Sequence, residues 1–60
     1  MQHVWQYYVK THSDKGPLLR TYVTQSGRKA KVTLKIMQEL KEDLEIDKHD
    51  IHEFYIRQLR

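Results

Sequence analysis

Four cations fall within eight residues of this chain: Arg28, Lys29, Lys31 and Lys35, in the run RKAKVTLK. Guanidinium and ammonium groups at this density bind anions, and phosphate is the anion that a basic strip most often meets in a cell. The run lies just before and across the start of an expected helix. A helix start presents unpaired backbone N–H groups and the positive end of the helix dipole, so the four side chains would surround an anion site. Lys10 and Arg20, on the preceding strands, would extend the footprint. Contacts of this kind hold a nucleic acid by its backbone without reading its sequence. The plain alternative is a solvated basic loop.

The order of charge along the helix adds to this reading. A helix dipole prefers acids in the first turn and bases in the last. Here Lys31 and Lys35 stand at the beginning, while Glu42, Asp43 and Glu45 stand at the end. The pairs Lys35–Glu39 and Lys41–Glu45 also run Lys before Glu, the weaker order at this spacing. Each misplacement costs only about 0.3–1 kcal/mol, yet all have the same sign, and repeated local rule-breaking can mark a binding surface. The whole chain shares the asymmetry behind its net charge of +3. Residues 1–35 carry seven Lys and Arg against Asp14 alone, whereas residues 36–60 carry four against seven acids. Such a split sets up a directional field, with one basic and one acidic face.

Other constellations carry less chemistry. Trp5, Tyr7, Tyr8 and Tyr22 alternate with Lys10 and Arg20 on a predicted hairpin, and aromatic rings on a basic sheet can stack single-stranded bases. In so small a protein most of these rings are needed for the core; Tyr8 is expected on the outer face beside Lys10. His49 and His52 lie three apart among Asp47, Asp50 and Glu53. On a helix they would share a face suited to zinc, whereas on a strand they diverge. No metal or other cofactor is expected, and His3 and His12 have no evident partner. The sequence has no cysteine, no glycine-rich phosphate loop, no G-x-S-x-G elbow and no HExxH pair, so no catalytic residues are assigned and an enzyme is not expected.

The elements that must position these residues follow from periodicity. Val4–Val9 is dense in β-branched and aromatic residues, with Trp5, Tyr7 and Val9 on one face. A turn cluster at 12–17 follows, with Gly16 free to take a positive φ, and then Leu18–Thr24 as the second strand of an antiparallel hairpin. Ile36, Met37, Leu40 and Leu44 form a helical stripe. This predicts an amphipathic helix at about 33–45, with Thr33 as N-cap and Val32 stapled to Met37. Residues 50–59 suit either a C-terminal strand or a second helix; Phe54–Tyr55–Ile56 favours the strand, which would also strengthen a two-stranded sheet. The expected fold class is therefore α+β. Its core is drawn from Val4 or Trp5, Tyr7, Val9, Leu19, Tyr22 or Val23, Ile36, Met37, Leu40, Leu44, Phe54 and Ile56.

At 60 residues the chain allows one domain, 1–60, with a thin core and no disulfide. A partner or a second copy would add buried surface, which makes a homodimer an expectation of size alone. There is no apolar run of membrane-spanning length, and residues 1–6 lack the pattern of a secretory signal, so a cytoplasmic protein is expected. The leading functional expectation is a small non-enzymatic binding module that engages nucleic acid, DNA above all, through its basic face. The alternative is a protein-interaction module, such as a small phage- or plasmid-type regulator or inhibitor. In it, Glu39, Glu42, Asp43, Glu45, Asp47 and Asp50 would meet a basic partner or the basic face of a second copy. Trp5, Tyr7 and Tyr22 on a hairpin, followed by Gly27, Arg28 and Lys29 before a helix, resemble the small arm-type DNA-binding domains of tyrosine recombinases. That resemblance implies DNA contact.

Overall fold

The computed structural model describes residues 2–60. β1 (His3–Thr11) is the central strand of a three-stranded antiparallel sheet, flanked by β2 (Leu18–Thr24) and β3 (Ile51–Gln58) in the order β2-β1-β3. β2 and β3 therefore run the same way, and such a pair needs a crossover rather than a hairpin. The crossover is α1 (Lys29–Leu44), followed by a short 3-10 turn at Lys48–Asp50. The fold is α+β, with the predicted hairpin and the predicted C-terminal strand both present.

Side chains alternate across a strand and recur every third or fourth residue along a helix. β1 turns Trp5, Tyr7 and Val9 toward α1, which answers with Val32, Ile36 and Leu40; Ile46, just past the helix, completes the buried set. Register places Tyr22 opposite Trp5 and Leu18 opposite Val9, while Ile56 lies opposite Tyr7 and Phe54 opposite Val9. These neighbours close the core as partly buried residues. The pairing shifts between Lys10 and Thr11, so that Glu53 faces Lys10 but Ile51 faces Thr11. The shift skips His52 and returns Ile51 to the core side.

Several expectations are corrected. The helix starts four residues earlier than 33, because Lys29, Ala30 and Lys31 are good helix formers. Thr33 is not the N-cap: its hydroxyl donates to the Lys29 carbonyl at 2.8 Å, within the helix. Val32 is consequently a core residue rather than a staple. Leu19 is 66% exposed, since it shares strand parity with Val23 and not with Tyr22; Leu18 takes the inward place. Val4 and Val23 likewise belong to the outer face. No described glycine has a positive φ. Gly16 serves by its lack of a side chain, since a Cβ there would stand 3.2 Å from the Val9 carbonyl. The second-helix alternative for residues 50–59 is overturned by β3, which supplies the third strand. No described helix is long and apolar enough to cross a membrane.

Candidate nucleic-acid interface

The connection from β2 to α1 is short and tied down at several points. The Trp5 indole N–H donates to the Ser26 carbonyl at 3.2 Å, and the Ser26 N–H donates to Thr24 Oγ1 at 3.3 Å. Ser26 Oγ accepts from the Arg28 N–H at 3.2 Å. Gly27 packs beneath the His3 imidazole, where a Cβ would come within 3.3 Å of Nε2. His3 is itself held from β3, its Nδ1 accepting from the Gln58 amide at 2.9 Å. Residues from β1 and β3 thus fix the loop from which the helix departs.

Arg28 is the N-cap residue in an extended conformation, and the Val32 N–H makes its intrahelical bond to the Arg28 carbonyl at 3.0 Å. The cap has no side-chain hydrogen bond, and no acid stands in the first turn. A helix start of this kind leaves donors and dipole available to an external anion. Beside it lies an open groove of about 500 Å³, walled by Thr24 and Ser26 on one side and by Arg28, Lys31 and Lys35 on the other. The groove is open and carries three exposed cations, an arrangement that suits an anion.

The six predicted contact residues do not form one surface. Arg28, Lys31 and Lys35 share the groove, while Lys29 is exposed on the first helical residue and does not line it. Arg20 is exposed on edge strand β2, in register with Tyr7 and so on the helix side of the sheet. Lys10 lies on the opposite face, across from Glu53. Tyr8 occupies that outer face, as expected, stacked at a tilt on Tyr55 with ring centroids 6.0 Å apart.

The acidic strip is partly committed to structure. Asp47 accepts from the His49 N–H at 3.1 Å, and Asp50 accepts from the Ser13 hydroxyl at 2.5 Å. The His49 N–H is the main reason the Asp47 carboxyl is held below its usual range. Glu39, Glu42, Asp43 and Glu45 are exposed. Partial burial, then the Glu39 carboxylate and Tyr7, raise the Tyr22 phenol above its ordinary value.

His49 lies in the 3-10 turn and His52 in β3, where it meets His12 with ring centroids 4.7 Å apart. The two lie forty positions apart in the chain, so local spacing gave no sign of the pair. Among the described residues no group of three His, Cys, Asp or Glu side chains is placed to hold a metal. The roles of His3 and Gly27 in shaping the groove were equally invisible, because the contact joins the chain's first strand to its central loop. Comparison with protein-family models, curated proteins and solved structures finds no match to the chain. The likeness to recombinase arm domains therefore rests on residue types alone.

Proposed function

We propose that this is a non-enzymatic nucleic-acid-binding module of the cytoplasm that grips a phosphate backbone, most simply that of duplex DNA, in the groove between β2 and α1. One observation carries the reading: a helix start without side-chain cap or acid, bordered by Arg28, Lys31 and Lys35. Charge works against the helix here, since cations beside an uncapped N-terminus are mutually unfavourable until an anion arrives. A phosphate satisfies the free N–H groups and neutralises the side chains together. The contacts engage backbone rather than base edges, so binding favours no particular sequence.

The test is anisotropy of a fluorescent mixed-sequence duplex at low salt. The triple variant Arg28→Glu/Lys31→Glu/Lys35→Glu should bind at least about tenfold more weakly, since three phosphate contacts become repulsions. Lys10→Glu, on the opposite face, should change affinity little. Equal affinity in the triple variant and the parent would remove the groove as the site. The acidic surface of Glu39, Glu42, Asp43 and Glu45, facing a basic protein partner, would then be the stronger reading.

A further inference from the structure

We infer that His12 and His52 form a binding site for a divalent transition-metal ion of the zinc type, held by two imidazoles and open to water or an added ligand at its remaining positions. The register shift between β1 and β3 builds the site. Glu53 pairs with Lys10 and Ile51 with Thr11, so His52 is an extra residue of β3 inserted without a partner, a β-bulge. Alternation from Ile56 and Phe54, which pack against the core, would turn His52 toward α1. The bulge frees it from that parity, and bulges beside functional sites serve to re-aim a side chain. Returning Ile51 to the core requires an extra residue here, but not that the residue be a histidine facing a second one.

His12 arrives from the other strand. It follows the buried Thr11, and its N–H donates to the Asp50 carbonyl at 2.8 Å, which carries the pairing of the two strands past the bulge. Both imidazoles are exposed, with ring centroids 4.7 Å apart and 58° between the planes.

Imidazole suits zinc, copper and nickel alike. With metal–nitrogen bonds of about 2.0–2.1 Å, ring centres at the 4.7 Å separation correspond to an angle of roughly 95° at an ion shared between them. That is a cis arrangement, as chelation by two side chains needs. The ring nitrogens are also available. Among the described residues neither ring takes part in a hydrogen bond, whereas His3 commits its Nδ1 to the Gln58 amide. Two carboxylates stand close by in the chain: Asp50, which accepts from the Ser13 hydroxyl beside His12, and Glu53, which faces Lys10. Neither makes a third ligand with the pair. The ion is therefore exchangeable and keeps open positions, unlike structural zinc closed by four protein ligands. The pair shares no residue with the groove of Arg28, Lys31 and Lys35, so the site stands whether or not that groove binds phosphate.

Titration of the full chain with zinc chloride, followed through the imidazole NMR signals, tests this. Those of His12 and His52 should move together with one midpoint at or below millimolar zinc, ahead of His3 and His49. His52→Gln should raise the His12 midpoint at least about tenfold, and His12→Gln that of His52, because each removes the second tether of the chelate. Both positions are exposed, so the far-ultraviolet spectrum of each variant should match the parent. Binding should weaken as pH falls, since ligation needs neutral imidazole and protons compete for it. Four histidines that respond alike, or no response up to millimolar zinc, would overturn the inference. So would a His12 midpoint that His52→Gln leaves in place, or a response confined to His3 or His49.

Discussion

Trp5 does two jobs. Its ring lies in the core against α1, and its indole N–H holds the Ser26 carbonyl of the groove loop. Trp5→Phe keeps most of the ring but leaves that carbonyl without its donor, a loss of about 1–3 kcal/mol for a part-buried group. Urea unfolding should show that decrease, and duplex affinity should fall as the loop loosens, although no cation has been touched. Asp47 is a second residue whose local bond has a measurable consequence. Its carboxyl is held below the usual range mainly by the His49 N–H. The stabilisation is therefore present above the unfolded value of about 3.9 and is lost as pH falls through the lower native value. Carbon-detected NMR titration should find the Asp47 midpoint below that of an unstructured aspartate; a midpoint at or above it would contradict the bond.

At the scale of elements, α1 ends under strain and begins without help. Glu45 closes the helix in the left-handed region, φ 55°, with its N–H and that of Ile46 both reaching the Leu40 carbonyl. A side chain in this conformation costs roughly 1 kcal/mol relative to glycine, which helix C-termini prefer. Glu45→Gly should therefore raise the unfolding midpoint, aided by removal of an acid from the negative end of the dipole. Unchanged or lower thermal stability would argue that Glu45 has a compensating role. The strands were legible because period two is strict: Trp5, Tyr7 and Val9 could share only one face, and Phe54 with Ile56 matched it. Leu19 was misplaced where that rule was relaxed, since it cannot lie inward together with Tyr22. The helix start was missed because Thr33 has the composition of a cap, although the apolar stripe extends back to Val32. The cations were visible in the sequence, but the groove was not, because His3 and Trp5 shape it from more than twenty residues away.

For the whole molecule, the division of charge between the halves of the chain becomes a division of surfaces. Arg28, Lys31 and Lys35 line the groove, the acids of α1 stay exposed, and the outer sheet face carries Lys10 and Arg57 against Glu53. Lys10 and Arg20, counted with the groove on charge alone, are separated from it by the sheet and by strand position. The central claim is thus that a small, defined number of cations contacts phosphate. Its most direct test is the salt dependence of duplex binding by the parent protein. Release of counterions by Arg28, Lys31 and Lys35 predicts a slope of log affinity against log salt near −3, about −0.9 for each contact. The Lys31→Gln/Lys35→Gln variant should flatten it by about 2. An absence of binding at low salt, or a slope that this variant leaves unchanged, would contradict the account.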